Sequence, residues 1–307
     1  MWVLMSAACN RQRDAFSSCH PLINFYYFVL VIVSAMFFLH PILMGISFVS
    51  AVIYSIYLNG KRAVKFTLLG ILPMFLAAAI FNPLFSHAGV TILFYHPNGN
   101  PITLESILFG LAMGGMLVSV IAWFSCFNAV MTSDKFTYLF GKIIPALSLV
   151  FSMTLRLVPR FKAQLKVIAK AQKCIGKGAT DGNVFKRARN GMAILSILVT
   201  WALENSIETA NSMKSRGYGL KGRTQFSIFR FEKRDIVMLV ILVFATIILM
   251  IGTALDLTSV LFFPWIIIAP ISPFSMLVYI TFIMLVNIPM TLNVLEDMKW
   301  KSIRSEM

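Results

Sequence analysis

Glu204 and Glu208 stand four residues apart, a spacing that sets two carboxylates on one face of a helix. Such a pair serves acid–base or metal-assisted hydrolysis when a base, a nucleophile or further ligands join it. The four histidines, His20, His40, His87 and His96, all fall in the first hundred residues, and none forms an HExxH pattern with a glutamate. The four cysteines, Cys9, Cys19, Cys126 and Cys174, show neither CxxC nor zinc-finger spacing and are expected to be free thiols. No GxxxxGK[ST] loop is present to cradle a nucleotide. The two glutamates are therefore expected to be structural, paired with Arg156, Arg160, Arg187 or Arg189. No catalytic set and no metal or other cofactor is expected in this chain, and a membrane-embedded hydrolase is kept as a minor alternative.

The elements around these residues belong to a membrane protein. Of the 307 residues, 58% are hydrophobic and 13% charged, with a mean hydropathy of +0.81; a soluble domain carries roughly 25% charged residues. Residues 22–58, 236–255 and 257–295 contain no Asp, Glu, Lys or Arg, and between 66 and 130 the only charge is Glu105. Blocks of about 20 apolar residues are long enough to cross the hydrocarbon core. Six spans are expected, at about 22–39, 41–58, 66–83, 104–130, 235–254 and 275–295. Glu105 and Asp256 sit at predicted span ends, so no buried ionisable residue marks a proton or ion path. Gly110 and Gly114 form a GxxxG sequence, expected to serve helix packing within the chain.

Charge orients the spans. The turn carrying Lys61, Arg62 and Lys65 is basic, whereas 84–103, with Pro97, Asn98, Gly99 and Pro101, has neither Lys nor Arg. Positive-inside bias sets the first in the cytoplasm and the second outside. Both termini then come out cytoplasmic, in agreement with Arg11 and Arg13 at one end and Lys299, Lys301 and Arg304 at the other. Residues 1–20 are not expected to act as a signal peptide. Two apolar stretches are expected not to span. Residues 136–155 hold Lys142 and Pro145 and are expected to dip into or lie along the inner boundary. Residues 260–273 are broken by Pro264, Pro270 and Pro273 and are expected to be re-entrant or buried against protein.

The fold class is all-α, a multi-pass transmembrane helical protein, in three regions: 1–153 membrane, 154–234 cytoplasmic and 235–307 membrane. From Arg156 to Arg234 there are 17 Lys and Arg against four acids, which accounts for +13 of the net +15. A segment held between spans argues against nucleic acid as the partner, and Lys162, Lys166, Lys170, Lys173 and Lys177 form a helical stripe suited to anionic lipid. A second helix is expected over 184–215, about 48 Å long, buried against other helices or lipid along Met192–Leu203 and capped by Gly217.

Ser212-Met213-Lys214-Ser215-Arg216-Gly217-Tyr218-Gly219-Leu220, Leu155-Arg156-Leu157-Val158-Pro159 and Lys170-Ala171-Gln172 resemble the coupling segment of the transmembrane T component of energy-coupling-factor (ECF) importers, a branch of the ABC transporters. Phe263-Pro264, Leu295-Glu296-Asp297-Met298-Lys299-Trp300 and His20-Pro21 fit the same family, and the likeness covers most of the chain. It implies a non-catalytic subunit of a bacterial cell membrane that carries ATP-driven uptake of a vitamin or metal ion. The implied partners are two ABC ATPase subunits, which bind ATP and Mg, and a small S component that binds substrate. The implied docking residues are Ser215, Arg216 and Gly217 at one site and Cys174, Ile175, Gly176 and Lys177 at the other. Ile175 occupies the place where the family has arginine, with Lys177 two residues on. A membrane subunit of another ABC-type transporter is the second reading.

Overall fold

The computed structural model describes residues 14–86, 88–95, 101–141, 145–180, 182–218, 220, 229–270 and 272–306. Arg11, Arg13, Cys9, His87, His96, the 97–99 turn, Lys142, Asp181 and Gly219 lie outside them. The chain divides into two compact units, Met1–Thr132 with Phe229–Met307, and Ser133–Ile228.

The first unit holds α1 (Pro21–Phe37), α2 (Pro41–Asn59), α3 (Lys61–Phe85), α4 (Leu104–Val130), α8 (Lys233–Ala254) and α9 (Pro273–Glu306). These match the six expected spans. Five are long and apolar enough to cross a membrane, while α1 has 17 residues, at the lower edge of the roughly 17–25 needed. Proline starts α1 and α2 at positions where its missing N–H is no loss. His20 precedes α1, and its Nδ1 accepts the Leu22 N–H at 3.2 Å. Glu232 and Asp235 form a reciprocal capping box on α8, and Asp235 also accepts from the His20 N–H at 3.2 Å.

Packing centres on α4, which contacts α1, α2 and α3. Trp123 is fully buried and donates from Nε1 to Ser47 Oγ at 3.0 Å, and Ser119 Oγ donates to the same Ser47 oxygen at 3.0 Å. Tyr27, Phe28 and Phe16 surround it with edge-to-face ring contacts. The GxxxG sequence acts inside the chain, as expected. A Cβ on Gly110 would lie 3.0 Å from the Ala79 carbonyl oxygen, and one on Gly114 3.2 Å from the Phe75 carbonyl oxygen. The α3 and α4 backbones therefore approach through these two glycines. Residues Thr67–Ile71 of α3 form a π-helical turn.

Hydroxyls from two other helices reach α9, which contains Pro289. The Val286 carbonyl accepts from Tyr27 Oη at 3.3 Å and Ser50 Oγ at 3.2 Å. On the 86–103 side, β1 (Ile92–Tyr95) pairs antiparallel with β2 (Pro101–Thr103). Glu105, in the first turn of α4, ties this ribbon down by accepting from Thr91 Oγ1 at 2.7 Å and Thr91 N at 3.1 Å. The expected non-spanning stretch 260–273 contains a second ribbon, β3 (Val260–Leu261) with β4 (Ile267–Ile268). Its Phe262 is buried against Met44 and Ala112, and the Phe263–Pro264 peptide is cis.

The second unit holds α5 (Ser133–Gly141), α6 (Pro145–Cys174) and α7 (Val184–Ser215). The stretch 136–155 is thus shared between two helices. The helix α6 begins about ten residues earlier than the Leu155-Arg156 sequence suggests, because Pro145 suits a helix start.

Replacing Gly110 by Leu would drive a side chain into the Ala79 carbonyl. The variant is expected to lose about 1–3 kcal/mol, read as a lower melting temperature of the detergent-solubilised chain, whereas Leu108→Ala on the exposed side should change it less.

Candidate functional site

The expected docking residues sit at the ends of α6 and α7, and both ends are built the same way. At the first, Gly176 has φ +70°, the Lys177 N–H reaches the Gln172 carbonyl at 2.9 Å, and the Gly176 N–H reaches Lys173 at 3.1 Å. At the second, Gly217 has φ +75°, the Tyr218 N–H reaches Met213 at 3.0 Å, and the Gly217 N–H reaches Lys214 at 3.0 Å. Each is a Schellman motif with glycine in the left-handed position. Each stops its helix sharply and leaves the preceding residue at the tip.

The matching geometry settles which residues correspond. Ile175 and Arg216 both precede the left-handed glycine, so they hold equivalent backbone positions. Lys177 corresponds to Tyr218. All four are exposed, with Ile175 at 65% and Tyr218 at 51%. Ser215 Oγ donates to the Ser212 carbonyl at 2.9 Å, which occupies its hydroxyl proton within the last turn. Cys174 is a free, exposed thiol in the last turn of α6.

Contacts between the two helices hold the tips in place. Asn190 is buried, and its Nδ2 donates to the Gly178 carbonyl at 2.9 Å, fastening the connecting loop to α7. Phe161 meets the Trp201 ring edge-on at 5.8 Å between centroids, and the Arg160 guanidinium lies 5.8 Å from the centre of the same ring. Ile168 is buried on α6, while Lys162, Lys166, Lys170, Lys173 and Lys177 are all exposed.

One expectation is corrected here. Glu204 and Glu208 are exposed, and among the described residues neither pairs with Arg156, Arg160, Arg187 or Arg189. Arg160 is directed to Trp201 instead. Met192–Leu203, expected to be buried against other helices or lipid, is mostly left uncovered by this chain. Only Ile194 is covered, at 4% exposure, while Met192, Leu195, Val199 and Leu203 stand between 50% and 70% exposed. An apolar run on all sides of a helix needs several neighbours, and the chain itself covers one face only. The Asn190–Gly178 and Arg160–Trp201 contacts carry no periodic signal. Of the tip geometry, the cap at Gly217 was the feature readable in advance, and the matching cap at Gly176 emerges from the structure.

No group of three or more His, Cys, Asp or Glu able to hold a metal ion occurs among the described residues. The two tips carry recognition chemistry, a guanidinium fork, a thiol, an aliphatic side chain and an ammonium, on rigidly ended helices.

An all-α chain with several spans and a separate helical pair ending in two exposed tips has the make-up of a transporter's membrane subunit. Residues 20–228 match the family described as cobalt transport protein, and the chain belongs to that family. It is similar to the energy-coupling factor transporter transmembrane protein EcfT of Lactobacillus helveticus, 35% identical over 97 residues, covering 31% of this chain and 35% of that protein. EcfT of Lactococcus lactis is 32% identical over 104 residues, covering 34% and 39%. EcfT of Staphylococcus aureus is 26% identical over 237 residues, covering 72% and 87%. The chain thus spans little more than a third of the first two relatives in the matched regions and most of the third. The resemblance to the ECF T component holds, and these relatives are named as transmembrane parts of transporters, a class of non-catalytic subunits.

With both carboxylates exposed and, among the described residues, unpaired, the double variant Glu204→Gln, Glu208→Gln is expected to shift stability by no more than about 0.5 kcal/mol. Thermal unfolding in detergent checks this, and a large drop would mean that the pair is held by contacts outside this chain.

Proposed function

We propose that this chain is the coupling T subunit of an ECF-type importer. It links ATP hydrolysis by two partner ABC ATPase subunits, which bind ATP and Mg, to uptake of a vitamin or metal ion through a small membrane S component. The carrying observation is the pair of matched helix ends. Two long helices clasped together stop at two exposed tips, one of which presents Arg216 in the position the family uses for docking. The ATPase contact is assigned to Ser215, Arg216 and Gly217, and to Cys174, Ile175, Gly176 and Lys177.

A guanidinium at a desolvated interface centre is worth about 2 kcal/mol or more, roughly thirtyfold in affinity. A mere dipole contact at a helix end is worth about 0.3–1 kcal/mol and is screened by salt. Arg216→Ala is therefore expected to reduce ATPase co-purification and ATP-dependent uptake strongly, and Arg216→Glu to abolish them. Wild-type behaviour of both variants would remove the docking role. Lys177→Ala tests whether an ammonium serves at the first tip.

The second and fourth spans leave the basic turn and the ribbon at opposite boundaries, and we assign the basic turn and both termini to the cytoplasm of a bacterial cell. With Cys174 replaced by Ser, Val90→Cys should react with an impermeant thiol reagent in intact cells and Asn59→Cys should not. The reverse pattern would invert the topology.

A further inference from the structure

A groove of about 650 Å³ opens in the membrane unit between α2, α3, α4 and the β3–β4 ribbon. Its walls include Phe48, Leu72, Phe75, Leu111 and Phe262, and Thr67 is the one polar side chain among its lining residues. The volume lies in the range of about 300–1,000 Å³ found for small-molecule sites. Leu68 and Leu72 on its wall are 57% and 48% exposed, so its contents are reachable from the surrounding medium.

Along α4 the lining runs from Leu108 to Val118, about 15 Å at 1.5 Å per residue. Spread over that length, the volume gives a cross-section of about 43 Å². An elongated apolar slot of this size can hold a polymethylene chain along its length.

One end of the groove is charged. Thr67 and Leu68 line it, and two residues before them stands Lys65, with Arg62 and Lys61 in the preceding turn. Lys61 and Lys65, four apart, and Leu68, three further on, fall on one face of the helix. All three cations are exposed, and among the described residues none has an ion-pair partner. The same helix therefore offers an apolar slot and, directly beyond its end, three uncompensated positive charges at the membrane boundary.

We propose that this groove is a binding site for an anionic phospholipid, with an acyl chain in the slot and the phosphate met by Lys61, Arg62 and Lys65. The apolar walls supply affinity for any lipid tail, and the cations supply selectivity for a negative headgroup. The π-helical turn Thr67–Ile71 contributes Thr67, Leu68 and Ile71 to the wall, and the cations precede it in sequence, outside the lining.

The full chain, purified in mild neutral detergent, is given dioleoyl phosphatidylglycerol or dioleoyl phosphatidylcholine, and retained lipid is counted by native mass spectrometry. Wild type is expected to retain phosphatidylglycerol preferentially. The triple variant Lys61→Gln, Arg62→Gln, Lys65→Gln should lower phosphatidylglycerol retention about tenfold or more while leaving phosphatidylcholine unchanged. Leu72→Trp, at an exposed wall position, should lower both. Equal retention of the two lipids by wild type, or equal loss of both in the triple variant, would overturn the proposal. As a check independent of variant folding in detergent, benzoylphenylalanine placed at Leu72 is photo-activated in native membranes. Cross-linking to phospholipid supports the site, and cross-linking to a polypeptide instead would assign the groove to a protein partner and overturn it.

Discussion

Lipid offers the backbone no hydrogen bonds, so each N–H and C=O within the bilayer must find its partner in the protein. In this chain a carbonyl of α9 shows how polar groups join helices. The Val286 carbonyl accepts two hydroxyl donors, from α1 and α2. One acceptor thus ties three helices together. The hydroxyls on Ser47 and Ser119 and the indole N–H of Trp123 satisfy one another in the same way between α2 and α4. These buried polar contacts help decide which helix lies against which in a medium where apolar surface alone gives little preference.

The spans were legible because the bilayer responds to composition. A run without charge and of sufficient length, divided at its prolines and turns, is enough, and α2, α3, α4, α8 and α9 begin and end within a few residues of the expected spans, apart from the basic first turn of α3 and the polar tail of α9. The start of α6 was harder to read, since Pro145 looks like a break in an apolar stretch and like a good first residue of a helix. Along α7 the source of the cover was not legible either. Apolar residues on all sides state that cover is needed but not whether it comes from the same chain. The clasp of Asn190 on Gly178 and the stacking of Arg160 on Trp201 depend on how two helices meet, which periodicity does not encode.

At the candidate site, glycine was the legible feature and its register the useful one. Because Gly176 and Gly217 occupy the same place in the same cap, Ile175 and Arg216 compare side chain for side chain on matched backbones. The two tips therefore differ in chemistry and not in shape. Lys177 does not restore the match, since it stands where the other tip has Tyr218. An ammonium acting in place of the missing guanidinium would reach from a different backbone position and without the planar fork. The first tip presents an exposed aliphatic side chain, best suited to an apolar recess, and the second presents a charge suited to an acidic one.

The α7 helix carries a further asymmetry along its length. Met192, Leu195, Val199, Leu203 and Ile207 recur at intervals of three or four and are all at least half exposed, so they make a continuous apolar stripe. Burying a large aliphatic side chain is worth about 1.5–3 kcal/mol, and a patch of this extent is uncommon on a protein that works alone. The stripe ends nine residues before Arg216, about 13 Å along the helix axis. Whatever covers the stripe need not touch the tip. A single rigid helix can then be held along its apolar side by one neighbour and pushed at its charged end by another, which is the mechanical requirement for passing a displacement from one partner to a second.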